Sequence, residues 1–492
     1  MKQSADEFQE VPFDSDKDDC LPASTQKTSI WSCCVRQPVS FLAWMVLSGC
    51  AAYQAQPIAP AALMQAFEAR TLDSPDLQGY VTAQLHGDAS RRVPNTWDLT
   101  TLTLAAFYFS PELDVARAKA SASQAAIQTA GQHPNPSLQF PLAYTTNAKA
   151  GESPYTYGLG LDIPIETGGK RGYRVAQAQQ LSNAARFTIG NAAWQVRSRL
   201  RSHLLNLYAA TRRAEILEQQ ITIQRQIVAM LDKRLSLGAA SAPEANQARI
   251  ALTQNRIDLA HVQQQRQDEH AQIAATIGVS VGALAKIQIN FDAFERVYPA
   301  IPADAARRQA ILNRADVLAA LSEYEASQAA LQLEIARQYP DIHIGPGYTF
   351  DAGAHKFVLP VSGIGLPLFN QNQGPIAEAG ARRKEMAARV NTVQAQAIDD
   401  TERAVQNYRA ALDHLRLTET LLSAQQHQLQ AMQQTFSAGE TDRLTLALAQ
   451  HAFYINALAR QDALVQVQAS IGQLEDAMQR PLSLSDFPAV LE

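Results

Sequence analysis

Residues 207–235, LYAATRRAEILEQQITIQRQIVAMLDKRL, and residues 408–436, YRAALDHLRLTETLLSAQQHQLQAMQQTF, decide the fold. In the first, Leu207, Ala214, Ile221, Val228, Leu231 and Leu235 fall on a seven-residue grid with a 3/4 subdivision near its end. Tyr408, Leu415, Leu422, Leu429, Met432 and Phe436 do the same in the second, each 201 residues after its counterpart. A seam of that period implies left-handed coiled packing, because the apolar stripe of a straight core helix drifts off a seven-residue grid. Two segments with one seam in one phase imply a duplicated unit.

Working outward, no proline follows the first residue from about Gly172 to Leu235 or from about Pro375 to Phe436, and glycine is scarce. Each stretch can be one helix, and some 60 residues would reach roughly 90 Å. Gly238 and Gly439 follow as C-cap glycines, again 201 residues apart. Ser241-Ala242-Pro243-Glu244 and Thr441-Asp442 then fit helix starts, so each repeat holds a helical hairpin with a tight tip. Pro136 and Pro340, then Gly169 and Gly374, punctuate the preceding segments at offsets of 204 and 205 residues.

Before each long helix the period changes to two. Tyr155, Tyr157, Leu159, Leu161, Ile163 and Ile165 alternate with Thr156, Gly158, Gly160, Asp162 and Pro164, a strand with one apolar and one small or polar face. Ile342, Ile344, Tyr348 and Phe350 repeat this in the second copy, with Leu138 to Thr146 and Phe357 to Phe369 as expected partners. Strands of roughly ten residues are long enough to cross an outer membrane. Four strands cannot close a barrel, and an open edge in lipid leaves backbone groups unsatisfied at several kcal/mol each. Two copies would give eight strands, whose interior fills with side chains, whereas three give twelve and leave a lumen. A trimer is the smallest conducting assembly.

Bulk composition agrees with a packed, weakly charged chain: 46% hydrophobic, 18% charged, 492 residues. Without residues 1–49 the charges are 38 basic against 40 acidic, which offers nucleic acid no electrostatic attraction. Cys20, Cys33, Cys34 and Cys50 are the only cysteines, so the body after residue 50 can hold neither a disulfide framework nor a thiolate metal site. The ten histidines have no ligand spacing; His261, His270, His343 and His355 read as surface or strand residues. Gly168-Gly169-Lys170 lacks the upstream glycine and the Ser or Thr of a phosphate loop and reads as a turn. No catalytic constellation, cofactor site or metal site is expected, and the chain is not read as an enzyme.

The amino terminus reads as an address. No apolar run reaches the roughly 18 residues of a membrane-spanning helix. Phe41 to Leu47 is a short apolar core after Arg36, and it runs into Leu47-Ser48-Gly49-Cys50. That ending resembles the bacterial lipobox, which implies cleavage before Cys50 and lipid on its thiol; Ala51 in place of Asp implies sorting to the outer membrane. The acidic residues Asp14, Asp16, Asp18 and Asp19 are unlike a signal start, and Val35 is an alternative one.

Two repeats of helix, strand hairpin, long helix, glycine tip and helix behind a lipobox resemble the TolC-type outer-membrane efflux family over nearly all of residues 50–485. His133-Pro134-Asn135-Pro136, Gly168-Gly169-Lys170-Arg171, Gly345-Pro346-Gly347-Tyr348 and Leu366-Pro367-Leu368-Phe369-Asn370-Gln371-Asn372-Gln373-Gly374 resemble its heavy-metal (cobalt-zinc-cadmium) branch. The resemblance implies a mainly α fold with membrane β: a homotrimer forming a twelve-stranded barrel and a long periplasmic helical tunnel. It also implies a periplasmic adaptor, an inner-membrane resistance-nodulation-division pump, and heavy-metal cations as cargo. The tips, Gly238 and Ala239 with Gly439 and Glu440, are the expected adaptor contacts, and Cys50 the lipid attachment. Some relatives carry aspartate rings after the second tip, where Thr445 and Leu448 stand here; Glu440, Asp442 and Arg443 are the nearest charges and read first as capping residues.

The expected division is a precursor segment 1–49, a lipid-anchored segment 50–96, a first repeat 97–280 with strands 137–166, a linker 281–302, a second repeat 303–482 with strands 340–369, and a tail 483–492. A duct for drugs or other small molecules, or a structural coiled-coil lipoprotein, are the alternative functions.

Overall fold

The computed structural model describes residues 53–85, 96–299, 302–359, 361–362 and 365–482. The chain divides into two units, 1–60 and 61–492. The chain's described elements begin with α1 (Pro60–Glu68), α2 (Pro75–Gln84), β1 (Thr96–Trp97), α3 (Leu99–Phe109) and α4 (Pro111–Gly131). Then come β2 (Ser137–Gln139), β3 (Leu142–Tyr144), β4 (Tyr155–Ile165), the long α5 (Lys170–Ser236) and α6 (Ala242–Ile277). After α7 (Val281–Leu284), β5 (Gln288–Ile289) and a 3-10 turn (Asp292–Glu295), the pattern restarts with α8 (Ala303–Asn313) and α9 (Ala315–Ala336). It continues through β6 (Ile342–Ile344), β7 (Gly347–Asp351), β8 (Ala354–Val358) and β9 (Val361–Ser362) to α10 (Gln373–Ser437) and α11 (Arg443–Met478).

The long helices run 67 and 65 residues, which at about 1.5 Å each is roughly 100 Å. Both start after a left-handed residue, Gly169 (φ 73°) and Asn372 (φ 61°). Their return helices α6 and α11 are 36 residues each, with N-caps at Ser241 and Asp442 and left-handed C-caps at Gly278 and Gln479. Both caps keep the 201-residue offset, so the repeat is one of helix ends as well as of seam. Leu207, Ala214, Ile221, Tyr408 and Leu415 are buried. Farther toward the tips Val228, Leu231, Leu235, Leu422, Leu429 and Met432 are half-buried, and Phe436 is exposed in the single chain.

The packing of the two repeats differs. In the second, α9 and α11 each pack on their own α10 and also on α5. In the first, α4 and α6 pack along α5 alone of the long helices. A core of Leu77, Trp97, Leu102, Leu104, Ile273, Ile277 and Phe294 gathers α2, α3, β1 and the 3-10 turn around Leu200, Leu204 and Tyr208 at the middle of α5. Within the expected linker 281–302, Leu284 and Phe294 are buried in that core, and β5 pairs in parallel with β1 through Trp97↔Ile289. Leu72, Leu77 and Val81, within the expected lipid-anchored segment 50–96, join the same core. Apolar residues outside any obvious period needed a tertiary partner to be placed.

The short strands make one antiparallel sheet of four continuous lines. β2 and β3 both pair with β4, the gap between them falling at Pro141, which lacks a donor but accepts from Gly158 N at 2.9 Å. On its other side β4 pairs with β7 and β6, interrupted at Gly345-Pro346, where Pro346 O accepts from Leu161 N at 3.0 Å. β8 and β9 then pair with β7 and β6. The turn from β7 to β8 has two left-handed residues, Ala352 (φ 50°) and Gly353 (φ 93°), the primed geometry of a two-residue hairpin. Toward the expected end at Phe369, Pro367 cannot donate to a ladder, and Leu366, Leu368 and Phe369 stand exposed outside any strand.

Candidate functional site: a two-faced sheet and paired helical tips

The register sorts the sheet's side chains. On one face Leu138 opposes Leu161, Leu142 opposes Tyr157, Leu159 opposes Tyr348, Tyr348 opposes Phe357, and Ile344 lies between Ile163 and Val361. Leu142 is 78% exposed and Phe357 78% exposed, so this face is an open apolar band. The other face carries Ser137, Gln139, Thr156, Gly158, Gly160, Asp162, His343, Gly347, Thr349, Asp351 and Lys356. Its polar groups are partnered: His343 Nδ1 is 3.1 Å from Asp162, and Asp351 accepts from Lys356 Nζ and from Thr156 Oγ1, each at 2.9 Å.

Where strands meet helices, the expected Gly168-Gly169 turn is present, both residues with positive φ. Lys170, which opens α5, turns inward and donates at 2.7 Å to both Tyr339 O and Asp341 Oδ1. Thr167 N donates to the same carboxylate at 3.0 Å, and Thr167 Oγ1 to Pro340 O at 2.6 Å. Arg174 and Glu166 form a two-pronged pair beside it. This knot joins the repeats at the strand–helix boundary.

A second junction lies midway along the helices. Glu475 on α11 accepts from Arg197 Nη1 at 3.0 Å and lies 3.3 Å from Arg201 Nε, all three side chains less than a tenth exposed. Arg201 also donates to Gln468 O at 2.9 Å. A Cβ on Gly472 would sit 2.5 Å from Arg201 Nη1, so this glycine leaves the space the guanidinium occupies. Next along, Asp476 accepts from Ser198 Oγ at 2.6 Å and Trp194 Nε1 at 2.9 Å, and burial pushes its carboxyl above the usual range.

At the far ends of the long helices the two tips share one geometry. Gly238 (φ 73°) donates to Leu235 O at 3.0 Å and Ala239 to Arg234 O at 2.8 Å; Gly439 (φ 79°) donates to Phe436 O at 3.0 Å and Glu440 to Thr435 O at 2.9 Å. Both are Schellman caps. A Cβ at either glycine would meet nothing within 4 Å, so only the left-handed backbone demands glycine there. Ser241 and Glu244 form a reciprocal capping box on α6. Asp442 caps α11 through Thr445 N at 2.7 Å and pairs with Arg234 of the first tip at 2.7 Å. The backbone N–H of Thr445, then the Arg234 guanidinium, hold its carboxyl down to about 2, so it stays charged at any physiological pH. Glu440 and Arg443 make no ion pair among the described residues.

Of the residues singled out from sequence, the four tip residues thus lie in two matching turns bridged by Arg234 and Asp442, while Cys50 lies outside the described residues. Lys170–Asp341, Arg197–Glu475–Arg201 and Arg234–Asp442 were not foreseen, because each joins residues more than 170 positions apart and no local pattern marks them.

The sheet has one bare apolar face, and each repeat continues from it into a hairpin of one helix of about 100 Å and a return helix roughly half as long. The family of outer membrane efflux proteins matches residues 107–279 and 306–479, one stretch on each repeat, and the chain belongs to that family. Among known relatives, the cobalt-zinc-cadmium resistance protein CzcC of Cupriavidus metallidurans is 24% identical over 348 residues, covering 70% of this chain and 80% of that protein. The crystal structure of the outer membrane protein VceC from Vibrio cholerae superposes with a TM-score of 0.62 at 19% identity, over 78% of this chain and 97% of that one. CusC, solved in the context of transmembrane channel formation, gives 0.60 at 17% identity over 78% and 92%. These structural likenesses are of fold. The family is the one the order of motifs resembled, and the mainly helical, TolC-like fold is common to them.

Proposed function

We propose that three copies of the chain close their sheets into a twelve-stranded barrel in the outer membrane and their helices into a periplasmic tunnel. This duct is the exit for heavy-metal cations delivered by an inner-membrane resistance-nodulation-division pump through a periplasmic adaptor. The carrying observation is the sheet: an apolar face exposed to nothing within the chain, a polar face behind it, and two outer lines, β2/β3 and β8/β9, each paired on one side only. In lipid those edges require partners, and identical copies supply them. The cargo class rests on the names of relatives, a cobalt-zinc-cadmium resistance protein and a cation efflux system protein. Extraction should require detergent, and the extracted particle should have three times the chain mass and conduct ions in a planar bilayer. A monomer or dimer that conducts would overturn the reading.

Cys50 carries the lipid in this scheme, and the tips at Gly238, Ala239, Gly439 and Glu440 meet the adaptor. Gly439→Val places a β-branched residue at φ 79°, at a cost of about 1–2 kcal/mol confined to the turn. Cells carrying it should lose tolerance to zinc, cobalt and cadmium, while the protein stays trimeric, in the outer membrane and labelled by radioactive fatty acid. Cys50→Ala alone should abolish that label. Photocrosslinkers at Ala239 and Glu440 should capture the adaptor in the wild type and not in Gly439→Val. Normal tolerance in the variant, or adaptor capture from Asn147 or Asp351 at the strand end instead, would invert the orientation.

A further inference from the structure

The two repeats share one helix frame, so each contact made by the second repeat on the first has a counterpart that a single chain leaves open. α11 packs on α5 of the first repeat, and at that seam Arg213 Nη1 lies 3.3 Å from Asp462 Oδ1, with Leu458 packed against Ala210, Ala214 and Leu217. Subtracting the 201-residue offset from α11 gives α6, where Ile257 stands for Leu458 and His261 for Asp462. Adding it to α5 gives α10, where His414 stands for Arg213. The corresponding surfaces are unpartnered: α6 packs along α5 alone of the long helices, Ile250 is 62% and Ile257 57% exposed, and on α10 Leu421 is 51% exposed. Leu421 stands where Gln220, 201 residues earlier, is 3% exposed. Both histidines are exposed.

We propose that His261 of one chain and His414 of the partner subunit meet at this seam and bind a divalent transition-metal cation between them. The proposal rests on the trimeric reading above and adds a ligand to its interface. The occupant of the open α6 face is a second copy because the chain already contains the mating surface, tested internally by α11 on α5. Two imidazoles can share one metal ion at about 2.0–2.1 Å per metal–nitrogen bond. Imidazole nitrogens offer lone pairs that suit zinc and its first-row neighbours. Asp258, one turn before His261, offers an oxygen on the same side of α6, and water completes the shell. Within one chain no group of three such ligands gathers among the described residues.

The chain has no cysteine after Cys50, which makes the geometry directly testable. In the detergent-extracted trimer, the double variant His261→Cys/His414→Cys should be joined by a short bis-maleimide into covalent dimers and trimers, and neither single variant should be. Metal-stripped wild-type trimer titrated with zinc chloride in a calorimeter should bind one zinc per chain. His261→Ala and His414→Ala should each weaken that binding about tenfold or more and still weigh as trimers. A trimer that fails to crosslink, or whose zinc uptake is absent or indifferent to both alanine variants, overturns the site and leaves the trimer standing. A particle that is not trimeric overturns the functional reading and the site together.

Discussion

Replacing Glu475 by glutamine is expected to lower the stability of the folded protein by about 3–5 kcal/mol, the cost of stranding buried charge. Glutamine keeps the shape of the side chain and can still accept from Leu482 N, which donates to Glu475 at 2.9 Å. What it removes is the anion between Arg197 and Arg201, whose side chains are 5% and 8% exposed. Neither guanidinium can turn to water: Arg197 lies over the Trp194 ring at 4.8 Å, and Arg201 is held by Gln468 O and fitted against Gly472. Asp476 does not substitute, being engaged by Trp194 and Ser198. Denaturant unfolding followed by helical circular dichroism, at fixed protein concentration, should show the loss; Glu475→Asp should fall between the two. A decrease below about 1 kcal/mol, the scale of exposed ion pairs, would mean that water reaches the triad.

Gly345→Val is expected to prevent the sheet from forming. A Cβ there would fall inside the van der Waals envelope of the Leu161 carbonyl oxygen and 2.7 Å from the carbonyl carbon, so the obstacle is backbone. β4 must therefore move off β6 and β7, breaking the pairing through Ile163↔Ile344 and Leu159↔Tyr348 together. The cost exceeds the ~1–3 kcal/mol usual for overpacking, because no rotamer change relieves it. Gly347→Ala is the control: two residues on, its Cβ would meet Val358 Cγ2 at 3.5 Å, an ordinary contact. Protease resistance of the strand region in detergent should vanish for Gly345→Val and persist for Gly347→Ala. Resistance retained in both would refute the close approach of the two backbones.

The glycine and proline pattern made the helical tips legible from sequence, because a Schellman cap is a local event that only a left-handed residue completes. The seams were legible for a similar reason, since their period is a property of one helix. The strands were visible as alternation, yet the last end was not: pairing, rather than apolar character, defines a strand, and Leu366 and Phe369 are apolar without being in one. The core around Phe294 and Trp97 was hidden because its residues are short apolar clusters with no period of their own. The buried ion pairs were out of reach for a stronger reason. Arg197, Arg201 and Glu475 look like surface residues in sequence, and only the folding together of the two repeats takes them from water.

The caps of α6 and α11 give the two hairpins the same return length, 36 residues each, ending on left-handed residues at Gly278 and Gln479. That equality acts as a spirit level. Losing seven residues from one outgoing helix and its return would preserve the seam but raise that tip by roughly 10 Å relative to the other, tearing Arg234 from Asp442. Losing them from both would lower the two tips together and keep the bridge. Stem length can therefore change in this molecule only in matched steps on both repeats, so two distant stretches of one gene inherit a single dimension.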